Sequence, residues 1–287
     1  MLKDLAIAVA ALAVAAPAAA AAPAAPRAVP LDYLPALKGD YFRIESKAVG
    51  RAFHVYVRLP EDYAKAPGKR WPIVYLLDGD SAFPMLAPAH LFLHYDEGLE
   101  DAIVVGIAYG SFDPAVNKRD TDFLAEAPPG GKAGAAAFEA FLKTELLPAV
   151  ERRVRGDPAR RVLVGQSFGG TFVLYSALAD PDLFWGRIAS NPSFRYGRAR
   201  LFGPPDAAAT RKGLGLAVVS GTRNNADGRK GALDWAAVWA GRSDAPWTVK
   251  EIDIPGGTHA ADLVNAYRAG MLWLMRGEAK GGEAAPH

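Results

Sequence analysis

The chain has 287 residues, 51% of them hydrophobic, and a formal net charge of +2 with basic and acidic residues interspersed. That length holds one large α/β domain or two small ones, and the scattered charge, with no aromatic–basic stripe, excludes a nucleic-acid footprint. Cysteine is absent, which excludes disulfides, a thiol nucleophile and a cysteine-ligated metal.

At the N-terminus Lys3 gives a short positive start, residues 5–16 are an unbroken apolar run, and alanines and prolines follow to residue 30. With Ala-x-Ala sites near residues 20–22, this reads as a secretory signal peptide over 1–22 and a linker over 23–40. The apolar core is short for a membrane-spanning helix, so a cleaved leader is preferred to an uncleaved anchor. The expected location is periplasmic or secreted.

Residues 42–46 and 52–60 read as two strands. Phe53, Val55, Val57 and Leu59 alternate with His54, Tyr56 and Arg58, and Val49-Gly50-Arg51 supplies a hairpin turn. Residues 71–77 are a continuous apolar run, as expected of a strand buried on both faces. The run ends in Asp78-Gly79-Asp80, at the carboxyl edge where open α/β sheets bind ligands. A helix over 85–95 and a buried strand over 102–108 come next. Residues 109–134 are a polar, Gly/Pro-rich excursion of a length that is usually functional in a compact domain. Phe138, Phe141, Leu142 and Leu146 then mark one side of an amphipathic helix over 135–153.

The apolar stretch Val162-Leu163-Val164 feeds directly into Gly165-Gln166-Ser167-Phe168-Gly169, and a helical pattern follows over 171–179. Gly-x-Ser-x-Gly between a strand and a helix is a nucleophile elbow. Its sharp turn strains the serine, leaves no room for side chains at the glycines, and aims the N–H groups of the following helix at the reacting oxygen. Further strands are expected over 186–189, 214–220 and 247–254, helices over 234–240 and 260–274, and a disordered tail over 277–287. Strands and helices alternate throughout, so one α/β domain over 41–276 is expected, with a mostly parallel central sheet.

A serine hydroxyl needs a base, and histidine has a pKa near working pH. Of the five histidines, His54 falls in a strand and His287 in the tail. His90 and His94 stand four apart on a helix, a spacing that can present two imidazoles to a metal, but no third ligand is evident and none is expected to bind. His259 lies in a Gly-rich turn between the last strand and the last helix, where an α/β-hydrolase places its base. A carboxylate to orient it should follow the 214–220 strand. Asp227 is the nearest acid and is favoured. Asn224 is closer to the strand end but uncharged, so a Ser–His dyad with amide support is the alternative, with Asp234 and Asp253 as further options. Two oxyanion donors are expected, the backbone N–H groups of Phe168 and Asp80. No cofactor is required.

Beyond the leader, the chain resembles the esterase branch of the α/β-hydrolases that contains the enterochelin (trilactone siderophore) esterases and their exported relatives. The resemblance is carried by Phe141 to Glu151, Asp157-Pro158, Arg160-Arg161, the Gly-x-Ser-Phe-Gly-Gly elbow, Leu174 to Leu178, Pro181-Asp182-Leu183-Phe184, Ser190-x-Pro192-Ser193, Leu76-Leu77-Asp78-Gly79, Arg119 with Asp122-Phe123, and Gly257-Thr258-His259-Ala260. It implies an α/β-hydrolase fold with helices on both faces of the sheet, and an exported serine esterase acting on a small-molecule ester. A siderophore trilactone is the most specific substrate it suggests, with envelope and carbohydrate esters as competitors. Acyl transfer to a sugar, or a non-catalytic binding role, are the alternatives. The chain departs from the family pattern at Gln166, where histidine is common, at Phe194-Arg195-Tyr196, where tryptophans are common, and near Asn224, where an acid is common. Arg119 and Arg195 are candidates to meet an anionic or catecholate substrate, or else solvated arginines. Phe83, Tyr109, Phe112 and Tyr196 are candidates to line the pocket, or else ordinary core and rim residues.

Overall fold

The apolar runs of the sequence become the centre of one eight-stranded sheet in a computed structural model, in which residues 34–277 are described. The expected signal peptide over 1–22, most of the expected linker and the expected tail beyond Gly277 lie outside those residues. The described end of the expected linker is already structured. Pro35–Leu37 makes a 3-10 turn, and β1 (Gly39–Ser46) pairs antiparallel with β2 (Arg51–Arg58). Gly50 closes the hairpin with φ 74°, a conformation that glycine adopts without cost.

The remaining strands are β3 (Trp71–Leu76), β4 (Ile103–Ala108), β5 (Gly156–Gln166), β6 (Gly186–Ser190), β7 (Leu214–Gly221) and β8 (Trp247–Ile254). Their order across the sheet is β1-β2-β4-β3-β5-β6-β7-β8. β2 runs antiparallel to β4, and every pairing from β4 to β8 is parallel. Every residue of β3, β4 and β7 is buried, which explains why those segments read as continuous apolar runs rather than alternating ones.

Helices cover both faces. α1 (Gly79–Glu97) comes first, and α2 (Arg119–Asp122) sits within the long excursion. α3 (Ala135–Phe141) and α4 (Leu147–Arg153) are joined by a π-helical turn over Leu142–Leu146. α5 (Phe168–Ala179), α6 (Arg198–Leu201), α7 (Ala226–Ala240) and α8 (Leu263–Met275) complete the set. Phe138 and Phe141 of α3, Phe172 and Leu174 of α5, and Trp235 and Trp239 of α7 pack on one face. Leu86 and Leu93 of α1 and Tyr267, Met271 and Leu274 of α8 pack on the other. Burial of such a side chain stabilises the fold by about 1.5–3 kcal/mol each.

Two helices are longer than their sequence patterns predict. α1 begins at Gly79 rather than near residue 85 and carries Pro84 and Pro88 inside it. Each proline removes a donor, but burial of Ala82, Phe83, Leu86 and Ala87 outweighs the loss. α7 begins at Ala226 rather than near 234, because the Asn225 side chain caps it by accepting the Gly228 N–H at 2.7 Å. This second extension decides where Asp227 stands.

Candidate active site

Ser167 sits between the last residue of β5 and the first of α5, with φ 58° and ψ −118°. A non-glycine residue in that region costs about 1–3 kcal/mol and persists only where its surroundings hold it. Here the Ser167 N–H donates to the Ser190 carbonyl at 3.0 Å, and the Ser167 carbonyl accepts the Thr171 N–H at 2.9 Å. Gly165 makes the turn possible, since a Cβ there would lie 2.3 Å from the Gly169 carbonyl oxygen. Three non-glycine residues with positive φ occur among the described residues, Asp78, Ser167 and Asn191, and all lie in turns at the carboxyl edge of the sheet.

His259 meets Ser167 across that edge, with Nε2 3.0 Å from the serine Oγ. Its Nδ1 lies 2.9 Å from the Asn224 Oδ1. The Asn225 backbone N–H donates to that same Oδ1 at 2.8 Å. A backbone N–H can only donate, so the Asn224 oxygen faces His259, and Nδ1 must carry the imidazole proton. Nε2 then presents its lone pair to the Ser167 hydroxyl. Partial burial, and after it the Arg119 cation, hold the His259 pKa below the usual histidine range, so the neutral ring is favoured.

The loop that carries His259 is held by polar side chains from neighbouring strands. The His259 carbonyl accepts from Asn191 Nδ2 at 3.0 Å and also from Gln166 Nε2. Gln166 Oε1 accepts the Ser190 hydroxyl at 2.6 Å, and Asn191 Oδ1 accepts the Gly221 N–H at 3.0 Å. In the sequence Gln166 is marked only as the variable position of the elbow and a departure from histidine, and Asn191 only as the variable position of Ser190-x-Pro192-Ser193. Their one local signal is a polar residue at the carboxyl end of a buried strand.

The acid expected beside His259 is not there. Asp227 is exposed in the first turn of α7 and makes no hydrogen bond to the imidazole. The Asn225 cap starts the helix at Ala226, which leaves Asn224 as the residue at the ring. Asp234 pairs with Lys230 at 2.8 Å and Arg198 at 3.1 Å, and Asp253 pairs with Arg229 at 2.5 Å. The uncharged alternative, Asn224, occupies the third position.

Phe168 and Asp80 lie in the first turns of α5 and α1, where backbone N–H groups have no helical acceptor. Asp78 precedes α1 with φ 53° and ψ 44°. Gly79 is pressed against β4, where a Cβ would lie 2.6 Å from the Ile107 nitrogen. The Asp80 carboxylate ties the turn down by accepting the Tyr109 and Gly110 N–H groups at 2.8 and 2.7 Å.

Arg119 is not a free anion receptor. Its guanidinium forks onto Asp78 at 2.7 and 2.9 Å and donates to the Gln166 carbonyl at 3.2 Å. It thus straps the Asp78–Asp80 turn to the elbow. Arg195, by contrast, is exposed, lies 5.3 Å from the Tyr196 ring centre, and has no carboxylate partner among the described residues. Tyr196 packs against Phe168 at 6.2 Å. Tyr109 is a core residue whose hydroxyl donates to Asp122 at 3.0 Å. Phe83 is also buried, whereas Phe112 is 73% exposed at the mouth of the cleft.

Two cavities share Ser167 and His259. One, of about 400 Å³, is walled by Ala82, Met85, Leu86, Phe112 and Leu263. The other, of about 690 Å³, is walled by Ser193, Arg195, Arg198, Asp227 and Lys230. An ester bond held at Ser167 therefore has an apolar space on one side and a polar, cation-bearing space on the other. His90 and His94 lie apart from both. His90 Nδ1 bonds Tyr267 at 2.8 Å and His94 Nδ1 bonds the Leu99 carbonyl at 2.7 Å.

Known proteins share this fold. The family model described as "Putative esterase" matches residues 46–262. The ferri-bacillibactin esterase BesA of Bacillus subtilis is 31% identical over 170 residues, which is 54% of this chain and 58% of the relative. An apo-salmochelin esterase of Escherichia coli O6:H1 is 27% identical over 194 residues, 63% of this chain and 59% of the relative. The chain thus spans less than two thirds of the length of these relatives. Among solved structures, the BES protein from Bacillus cereus superposes with a TM-score of 0.70 at 21% identity, over 82% of this chain and 94% of that one. An IroE-like serine hydrolase from Shewanella oneidensis gives 0.69 at 22% identity, over 82% and 80%. The family match runs from the end of β1 to the threshold of α8, over most of the chain: the chain belongs to this esterase family of the α/β-hydrolases.

Proposed function

We propose that the protein is an exported serine esterase that cleaves a carboxylic ester through an acyl-enzyme. The observation that carries the reading is the 3.0 Å contact between Ser167 Oγ and His259 Nε2, made on a strained elbow with the Nδ1–H tautomer imposed from behind. Ser167 Oγ attacks the ester carbonyl carbon while its proton passes to Nε2. The backbone N–H groups of Phe168 and Asp80 hold the oxyanion. Collapse of the tetrahedral adduct breaks the bond to the alcohol oxygen, which takes the proton back from Nε2. Water then repeats the sequence on the acyl-serine and releases the acid, leaving Ser167 and His259 as they began.

The substrate class we favour is a siderophore-type ester, such as a trilactone. Relatives named for ferri-bacillibactin, apo-salmochelin and triacetylfusarinine C support it. So does the pairing of an apolar cavity with one bearing Arg195. The leader read over 1–22 supports export, and among the described residues no helix is long and apolar enough to cross a membrane.

The test is hydrolysis of an ester panel, from p-nitrophenyl acetate to longer acyl chains and to ferric and metal-free trilactones, by the protein and by Ser167→Ala. Turnover lost in the variant, with the trilactones preferred, is the expected result. A fluorophosphonate that fails to label Ser167, with no ester turned over, would sink the esterase reading in favour of a binding role.

A further inference from the structure

We propose that Asn224 is a positioning residue: it holds His259 in the Nδ1–H tautomer without lending it negative charge, so the base stays neutral, and able to take the Ser167 proton, in mildly acidic medium. The inference rests on the Ser167–His259 reading above and adds to it the working range of the base.

A carboxylate in this position does two things. It orients the ring, and it stabilises the imidazolium that forms when the serine proton arrives. An amide oxygen keeps the first role and supplies much less of the second. The geometry for the first is complete: Oδ1 receives the Asn225 N–H at 2.8 Å and faces Nδ1 at 2.9 Å. The buried Nδ2 of Asn224 has no partner among the described residues.

Among the described residues the second role is not filled from elsewhere. At the β3–α1 turn, Asp78 is paired with Arg119, and the Asp80 carboxylate accepts two backbone N–H groups. On the loop of His259 itself, Asp262 accepts the Thr258 N–H and the Asn265 amide. From α7, Asp234 is paired with Lys230 and Arg198, and Asp227 lines the polar cavity without bonding the ring. Arg195 and Arg198, after β6, bring positive charge to that cavity. None of these carboxylates bonds an imidazole nitrogen. The charged group that does act on the ring is the Arg119 cation, and it works in the same direction as burial, against the imidazolium.

The experiment follows the imidazole ¹⁵N and ¹H signals of His259, assigned by their loss in His259→Ala, through a pH titration of the full protein, Asn224→Asp and Asn224→Ala. The pH profile of kcat/KM on p-nitrophenyl acetate is recorded beside it. In the parent protein the proton is expected on Nδ1, with a titration midpoint below the ordinary value of about 6.5. In Asn224→Asp the midpoint should rise by about one pH unit or more, and the ratio of activity at low pH to plateau activity should fall about tenfold. In Asn224→Ala the midpoint should not rise, while kcat falls by about 10- to 1000-fold with KM little changed.

A proton on Nε2, a midpoint at or above that of a free histidine, an unmoved midpoint in the Asp variant, or a parental kcat in the Ala variant each overturns the proposal. Should the Asp variant fail to fold, because its second carboxylate oxygen is buried without a donor, the parental tautomer and midpoint and the Ala variant still decide. Titrations as expected together with a Ser167 that neither labels nor turns over an ester would uphold the positioning role and sink the esterase reading.

Discussion

Two strand-to-helix turns converge on His259, and they are built on opposite principles. At the β5–α5 turn the backbone itself is the device: Ser167 is held at positive φ, Gly165 admits the Gly169 carbonyl, and the hydroxyl goes where the turn sends it. At the β7–α7 turn the backbone is ordinary, and a side-chain cap decides everything. Asn225 captures the Gly228 N–H, the helix starts at Ala226, and Asn224 rather than Asp227 is left at the ring. A turn defined by steric necessity leaves a local signature in the residues that permit it. A turn defined by which of several polar residues makes a cap leaves a set of candidates.

The sharpest way to break this comparison is at its meeting point. Removal of Ser167 or His259 by alanine should reduce ester turnover by about 10⁴- to 10⁶-fold, each variant losing nearly as much as the pair, because the two act as a unit. Additive losses in the double variant, measured on p-nitrophenyl acetate, would contradict that.

The steric character of the elbow is tested by Gly165→Ala. With a Cβ 2.3 Å from a backbone carbonyl, a flexible side chain cannot absorb the clash. The expected loss is about 2–4 kcal/mol in urea unfolding, together with most of the activity. A variant of parental stability would show that the turn has slack.

Arg119 links the elbow to the Asp78 turn, and its substitution separates strap from charge. Arg119→Gln should lower kcat by about 10- to 100-fold by loosening the turn that carries the proposed oxyanion donor at Asp80. It should also move the acidic limb of the pH profile upward. The sign follows from its effect on His259: the cation holds the ring pKa down, so its removal raises that pKa, and the neutral base is lost at a higher pH. Arg119→Lys keeps charge without the fork, and is expected to retain the limb while losing kcat. A limb that moves downward in Arg119→Gln would rule out this account.

The smallest effect is expected at Asp227, the acid nearest in sequence to the end of β7. It is exposed and in the first turn of a helix, where a carboxylate contributes about 0.3–1 kcal/mol through the helix dipole. Asp227→Ala should change kcat by less than about twofold and lower stability within that range. A large loss of kcat would return Asp227 to the reacting centre.

The same contrast separates what could be read locally from what could not across the fold. β3, β4 and β7 were legible because burial on both faces demands unbroken apolar residues. The start of α1 was not, because its first turns run through Pro84 and are held by packing of Phe83 and Leu86 on the sheet, which no local pattern shows. Arg119 could be singled out as a cation near the site, but its engagement with Asp78 and Gln166 joins residues 41 and 47 positions apart in the chain. The support that Gln166 and Asn191 give the His259 carbonyl spans 93 and 68 positions, and no local pattern carries it.

By itself the sequence determined the parallel sheet, the elbow with Ser167, and the turn that presents His259, because each is a steric or burial requirement met by neighbours in the chain. The tertiary structure alone decided the third residue at the ring, the partner of Arg119 and the unlike character of the two cavities. The reason is physical. Hydrogen bonds and ion pairs between side chains are chosen by distance in space, and several residues of the right chemistry compete for each place until packing excludes all but one.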